Sequence, residues 1–180
     1  ELQIIIISSL AGNTGSGIFL QTALYLKDYF NAFAQCNIQV DGIFAFPDLY
    51  KSVCLSKIQM KNMYANTYAS LRELNAINCV CLSDVACRIQ FDGLFDANED
   101  RLNVNKKPYD SIFFVDELNI AGRMLSDIDE YKQMVATVAI MHSHMFGPLL
   151  NFFQYPIRQN YGSIGASRIV YPYQELVDYC

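Results

Sequence analysis

The feature of this sequence that most constrains its fold is an abrupt change of side-chain size close to its start. Four consecutive isoleucines, Ile4–Ile7, are followed by ten mostly small residues, Ser8–Gly17. A short β-branched run bounded by glycine is typical of a buried strand, and beyond the small residues the apolar positions recur with the period of a helix. The pattern predicts a buried strand over residues 2–8, a tight loop, and a helix over residues 17–34.

The same alternation of strand and helix patterns continues along the chain. After the first helix it predicts, in order, a strand over 38–46, a helix over 66–75, either a short helix or a hairpin in the polar segment 82–108, a strand over 111–115, a buried helix from Ser126 or Asp127 to about Met145, and a strand over 164–171. Strands that alternate with helices need crossover connections, and such connections give parallel strands. The predicted fold class is therefore α/β, a mostly parallel sheet flanked by helices.

The composition excludes several classes of function. Hydrophobic residues make up 52% and charged residues 17% of the chain, which indicates a well-buried globular protein. The net charge of −5 and the lack of a basic stripe argue against a nucleic-acid partner. The longest apolar segment, Met134–Met141, is too short to cross a bilayer, so no membrane partner is expected. The six cysteines form no CxxC pair, which predicts reduced thiols, no metal site and a cytoplasmic location.

The small-residue loop has the composition of a phosphate-binding loop. Residues Ala11–Gly17 combine glycines, two hydroxyls and the start of a helix, and they follow the carboxyl end of a strand, where α/β proteins bind ligands. The loop lacks the lysine of a Walker motif, and its glycines do not have the spacing of a dinucleotide motif. The alternative is a tight turn in which small residues only allow the following helix to pack closely.

The loop also resembles the signature of a known family. Residues Ser9–Gly17, SLAGNTGSG, resemble the sequence SLGGGTGSG of tubulin and its bacterial relatives such as FtsZ, with Ala11 and Asn13 in place of two glycines. Other segments similar to tubulin follow in the family's order: Gly42–Pro47, Asn66–Leu74, Ile112–Asp116 and Phe146–Asn151. From residue 2 to about residue 172 the chain is thus identified as a member of the tubulin/FtsZ superfamily, similar to its divergent bacterial tubulin-like group.

The resemblance implies a domain organisation. Residues 1–146 correspond to part of the tubulin-like nucleotide-binding domain and end with its core helix, and residues 147–180 correspond to a loop and the start of the following region. Tubulins place further strands and phosphate loops before the glycine signature. We therefore expect the N-terminal part of that domain to be lacking from this sequence, and the whole protein to be longer at both ends.

The resemblance also implies which residues bind a nucleotide. GTP or GDP is the implied cofactor, optionally with Mg²⁺. The residues implied to line the phosphates and to open the helix are Ser9, Ala11, Gly12, Asn13, Thr14, Gly15 and Ser16. On the sugar and base side they are Asn66, Glu117 and Asn119. A carboxylate such as that of Glu117 can accept from the N1 and N2 hydrogens of guanine. The alternatives are a plain helix cap for Asn66 and a solvated loop acid for Glu117.

The resemblance is weakest in the segment that corresponds to the GTP-hydrolysing loop of tubulins. In that family the loop after the core helix carries an acidic residue to the nucleotide of the next subunit. The matching segment, Asn151–Ile157, has no acid and offers only Gln154 as a weak catalytic candidate. We therefore expect a guanine-nucleotide-binding protein that self-associates head to tail, with weak or absent GTP hydrolysis. The alternative is a non-catalytic scaffold or interaction module that keeps the fold, whereas a dinucleotide or flavodoxin-like enzyme fits the alternation but not the loop motif.

Overall fold

The computed structural model describes residues 2–33, 38–53, 56–82, 90–92, 101–103, 107–118, 124–125, 128–142 and 161–164. In chain order the elements are β1 (Leu2–Ser9), α1 (Asn13–Phe33), β2 (Ile38–Ala45), a short 3₁₀ helix (Pro47–Tyr50), α2 (Lys57–Leu82), β3 (Gln90–Asp92), β4 (Arg101–Asn103), β5 (Ser111–Val115), α3 (Ile128–His142) and β6 (Tyr161–Ser163). No helix within these segments is both long enough and apolar enough to cross a membrane.

Four of the strands form one parallel sheet. Its strand order is β1-β2-β5-β6, and each neighbouring pair is parallel. In the middle of the sheet Phe44 of β2 lies opposite Ser8 of β1 and Phe114 of β5. This arrangement confirms the predicted α/β class. β3 and β4 form a separate antiparallel pair, so the described part of segment 82–108 shows the hairpin alternative rather than a second short helix.

The sheet separates two hydrophobic cores, because alternate residues of β2 face opposite sides. Val40 and Phe44 pack in a core with residues of α1 and α2. Ile43 and Ala45 pack in a second core with residues of α3. In the first core the rings of Phe19 and Phe44 meet edge to face, with their centroids 5.4 Å apart. Thus α1 and α2 cover one face of the sheet and α3 covers the other.

Two elements are less buried than the sequence predicts. In β1, Ile7 is 49% exposed, because within the described segments β1 pairs only with β2 and lies at an edge of the sheet. In α3, Tyr131 and Val135 are buried against the sheet, whereas Ile140 and Met141 are 59% and 50% exposed. The first half of α3 carries Asp129, Glu130 and Lys132, so the helix is not apolar all round as predicted. Within the described residues its packing partners lie on one side, and it is buried on one face only.

The start of α1 differs from the prediction, and most of the predicted last strand lies outside the described segments. α1 begins at Asn13 rather than at Gly17, so half of the small-residue loop is helical. β6 covers Tyr161–Ser163, directly before the strand predicted over 164–171. Only residue 164 of that predicted strand is described, so the strand stays a prediction, and the predicted helix start at 126–127 and helix end at 143–145 also lie outside the described segments. β6 pairs with β5, while the predicted domain boundary at residues 146 and 147 stays a prediction.

The second helix is much longer than predicted, and its start corrects the interpretation of Asn66 as a cap. α2 begins at Lys57, and Asn66 lies in its interior. The N-cap is Ser56, whose Oγ accepts from the backbone N–H of Gln59 at 3.2 Å. Serine followed three residues later by glutamine is the sequence pattern of a capping box, and the sequence analysis missed it.

A nearly buried lysine joins α1 to the segment that precedes β5. Lys27 Nζ lies 2.9 Å from Asp110 Oδ2 and donates to the carbonyl oxygen of Lys107 at 3.0 Å. Asp110 Oδ2 also accepts from the backbone N–H of Val40 at 2.8 Å. One carboxylate therefore connects α1, β2 and the start of β5. These contacts lie at the amino ends of the strands, opposite the edge where α/β proteins bind ligands.

Candidate functional site

The carboxyl ends of β1, β2 and β5 meet at one edge of the sheet, because these strands are parallel neighbours. The loop Leu10–Gly12 follows β1, the 3₁₀ helix follows β2, and Asp116 and Glu117 follow β5. Ligands of open α/β sheets bind at such an edge. The structure therefore brings the glycine-rich loop and Glu117 to the same edge, as the sequence predicts.

The loop after β1 is held in shape by its own hydrogen bonds and by β2. The backbone N–H of Leu10 donates to the carbonyl oxygen of Ala45 at 3.2 Å. Ser9 Oγ accepts from the backbone N–H of Ala11 at 3.2 Å and donates to the same Ala45 oxygen at 3.5 Å. The side chains of Leu10 and Ala11 are buried. Ser9 and Ala11 thus shape the loop, with the hydroxyl of Ser9 engaged inside it.

The first turn of α1 presents backbone donors to solvent. The first helical hydrogen bond runs from the N–H of Ser16 to the carbonyl oxygen of Gly12, at 3.0 Å. The N–H groups of Asn13, Thr14 and Gly15 therefore have no acceptor within the helix. The first turn contains no acidic residue, and Gly12, Asn13 and Thr14 are exposed. The positive end of the helix dipole is thus accessible, an arrangement that fits a phosphate group.

The glycines of the signature serve different purposes. A Cβ at Gly15 would lie 2.1 Å from the carbonyl oxygen of Ser9 and 2.6 Å from Ser8 Oγ. Gly15 is therefore needed for the close packing of α1 on the end of β1. A Cβ at Gly12 or at Gly17 would meet nothing within 4 Å. Gly15 thus allows the helix to pack closely, as the tight-turn alternative predicts, and Gly12 leaves open space at the loop. Phosphate binding by the loop stays a prediction.

Ser16 lies one turn further along and turns away from the helix end. Its Oγ donates to the carbonyl oxygen of Asn13 at 3.3 Å. It also lines a groove of about 340 Å³ between α1 and α2, whose floor includes Phe19, Leu20 and Ile77. The predicted contact of Ser16 with phosphate stays a prediction, since its hydroxyl is engaged with its own helix.

Asn66 reaches the loop from the neighbouring helix. Its Nδ2 lies 3.2 Å from the carbonyl oxygen of Ala11 and 2.9 Å from Asn13 Oδ1. Asn66 is held there because α2 packs beside α1 on the same face of the sheet. The structure thus brings this predicted residue to the glycine-rich loop, although it is not the helix cap that the alternative interpretation expects.

A charged cluster lies at the same edge of the sheet, after β2 and β5, and it includes the predicted base-binding residue, Glu117. Lys51 Nζ lies 2.8 Å from Glu117 Oε2 and 3.3 Å from Asp48 Oδ2. The hydroxyl of Tyr64 donates to Asp48. The hydrogen bond to Glu117 raises the pKa of Lys51 well above its usual value, and the hydrogen bond to Asp48 raises the pKa of Tyr64. At neutral pH, Lys51 is therefore a cation that joins the ends of β2 and β5.

Three members of this cluster, Asp48, Lys51 and Tyr64, were not predicted as site residues. The sequence signal for Asp48 and Lys51 was the turn Pro47-Asp48 directly after a predicted strand, since residues at strand ends gather at the ligand edge. Tyr64 lies within α2 and had no such signal. The other two predicted residues, Asn119 and Gln154, lie outside the described segments.

Among the described residues, no three His, Cys, Asp or Glu side chains gather in a way that could hold a metal ion. Mg²⁺ stays a prediction, because this ion is commonly held by one or two carboxylates together with phosphate oxygens.

The fold places the chain among α/β proteins with a parallel sheet flanked by helices. The family model described as "Tubulin like" matches residues 1–180. The chain belongs to this tubulin-like family, within the tubulin/FtsZ superfamily. A search of curated proteins and a search of solved structures each found no match.

Proposed function

We propose that this chain binds a guanine nucleotide, with the nucleotide's phosphates at the start of α1. The observation that carries the proposal is the accessible helix end, where the N–H groups of Asn13, Thr14 and Gly15 have no acceptor in the helix and no acid lies in the first turn. Membership of the tubulin-like family supports it. Ser9 and Ala11 hold the loop in the required shape, and Gly12 leaves room beside it.

Guanine is the proposed base because of Glu117. Its position after β5 places a carboxylate at the ligand edge, and Lys51 engages only one of its oxygens, Oε2. The other oxygen is the acceptor that we assign to the N1 and N2 hydrogens of guanine. The ion pair with Lys51 fixes the position of the carboxylate, which an acceptor for these hydrogens requires.

Thr14→Val tests the phosphate site. Valine keeps the size and branching of threonine and removes a hydroxyl donor from the first turn of α1. We expect the affinity for GTP to fall by at least about tenfold, about 1.4 kcal/mol, as measured by calorimetric titration. Thr137→Val is the matched control, because Thr137 is an exposed helical threonine of α3 whose hydroxyl donates to Gln133 O. A folded Thr14→Val protein that binds GTP like the wild type would contradict the site.

The proposal for turnover is slow or absent GTP hydrolysis. The segment that aligns with the catalytic loop of tubulin, Asn151–Ile157, contains no aspartate or glutamate and so no general base near neutral pH. We expect little phosphate release at any protein concentration, and Phe153→Asp to raise it where subunits stack. Strong, concentration-dependent release that survives Gln154→Ala would show that another residue positions the attacking water.

A non-catalytic scaffold with the same fold is the second candidate, and the acid-free segment 151–157 favours it. Head-to-tail self-association is common to both candidates. They differ in nucleotide dependence: the first requires GTP or GDP for assembly, whereas a scaffold assembles equally well without nucleotide. Sedimentation of the full-length protein with and without GTP separates them.

A further inference from the structure

Asn13 of α1 and Asn66 of α2 form a side-chain pair next to the loop that precedes α1. One nitrogen, Asn66 Nδ2, lies 2.9 Å from Asn13 Oδ1 and 3.2 Å from the carbonyl oxygen of Ala11. An amide nitrogen carries two hydrogens. These two contacts use both of them, so Asn66 has no donor left for an anion.

The carbonyl of Ala11 fixes the orientation of both amides. A carbonyl oxygen can only accept, so the end of Asn66 that faces it must be the NH₂ group. The same NH₂ group faces Asn13, which must therefore turn its oxygen toward Asn66. The NH₂ group of Asn13 is left on the other side of its amide. Asn13 is exposed and is the first residue of α1, beside the N–H groups of Thr14 and Gly15.

We propose that Asn66 is a positioning residue, which holds Asn13 so that its NH₂ group and not its oxygen faces a nucleotide phosphate. This inference rests on the proposed function, since it assumes phosphates at the start of α1. In this arrangement Asn13 touches the ligand and Asn66 does not. The tubulin signature has glycine at the position of Asn13, so this chain adds a side-chain donor where the signature offers only backbone.

Asn13→Asp is the first test. The aspartate keeps an oxygen toward Asn66 but replaces the NH₂ group with a second, negatively charged oxygen. An acid in the first turn favours the helix, so the melting temperature should stay the same or rise. In EDTA, which prevents a bridging cation, we expect the affinities for GTP and for inorganic pyrophosphate to fall by at least about tenfold. Unchanged affinity in this variant would overturn the proposal.

A double-mutant cycle is the second test, with Asn66→Ala, Asn13→Gly and the two combined. Asn66→Ala should weaken GTP binding about three- to tenfold in the wild-type background and cause no further loss in the Asn13→Gly background. It should leave the affinity for guanosine, which has no phosphate, unchanged. The control is Asn75→Ala, an exposed asparagine of the same helix, which should not affect GTP binding.

The outcomes separate the two proposals. If the wild-type protein binds no guanine nucleotide, the proposed function fails and this inference fails with it. A different result is that the wild type binds GTP but the losses of GTP affinity in the cycle are additive, or that Asn66→Ala weakens guanosine binding as much as GTP binding. Either result would mean that Asn66 contacts the nucleotide itself. In that case the positioning role is wrong, while the proposed function stands.

Discussion

Gly15→Ala is expected to destabilise the protein by about 3 kcal/mol or more, beyond the usual cost of an overpacked site. The added Cβ would lie 2.1 Å from the carbonyl oxygen of Ser9. That oxygen cannot move freely, because Ser9 is the last residue of β1 and is paired with Ala45 of β2. The helix would have to move away from the sheet and lose the contacts of Phe19 with Phe44. Chemical denaturation measures the loss.

Gly17→Ala is the matched control for this effect. Gly17 lies two residues further along the same helix, and a Cβ there would meet nothing within 4 Å. Alanine is a better helix former than glycine, so this change should stabilise the protein by about 0.5–1 kcal/mol. If the two substitutions change the free energy of unfolding in opposite directions, this would establish that Gly15 packs against β1. Equal effects at both positions would contradict that explanation.

Lys27→Met is expected to destabilise the protein by about 2 kcal/mol. The change removes the cation that pairs with Asp110 and one donor to the carbonyl oxygen of Lys107. Breaking a fully buried ion pair costs about 3–5 kcal/mol. The expected loss is smaller because the side chain of Asp110 is 43% exposed, although that of Lys27 is only 11% exposed. Methionine keeps the apolar length of the lysine side chain, so the measured loss of stability reflects the loss of the polar contacts.

Lys132→Met provides the comparison for Lys27→Met. Lys132 pairs with Asp129 at 2.7 Å, but their side chains are 65% and 73% exposed. Exposed pairs contribute about 0–1 kcal/mol, since water screens both charges. Denaturant midpoints of the two variants should therefore differ clearly. If Lys27→Met destabilised the protein as little as Lys132→Met, the contacts of Lys27 would not contribute to holding α1 against the start of β5.

The fold class followed from the sequence, because the alternation of strand and helix patterns requires crossover connections. The position at which α1 starts was not predicted correctly from the sequence. Gly12 and Gly15 lower the helix propensity of this segment, so the local pattern starts the helix only at Gly17. Packing against β1 and the hydrogen bond from Ser16 to Gly12 instead begin the helix at Asn13. Tertiary contacts thus decided a boundary that local preference placed four residues later.

The sequence named several residues of the candidate site but not the side-chain pairs that distant residues form there. The loop after β1 carries a recognisable signature, so its residues were named from the sequence. The pairs that complete the edge are distant: Lys51 and Glu117 are 66 residues apart, and Asn13 and Asn66 are 53 apart. Their meeting depends on the order of strands in the sheet and on the packing of α2 beside α1. A single sequence does not encode either in a local pattern.

Two linked measurements test the proposed guanine-nucleotide site most directly. The first is calorimetric titration of GTP, ATP and NAD into the full-length protein, and the second is hydrogen exchange of the backbone amides in the first turn of α1. We expect GTP to bind, ATP to bind at least about tenfold more weakly, and NAD not to bind. Bound GTP should slow the exchange of the amides of Asn13, Thr14 and Gly15, which have no acceptor within the helix. Absence of GTP binding, or GTP binding that leaves these three amides unprotected, would contradict the site.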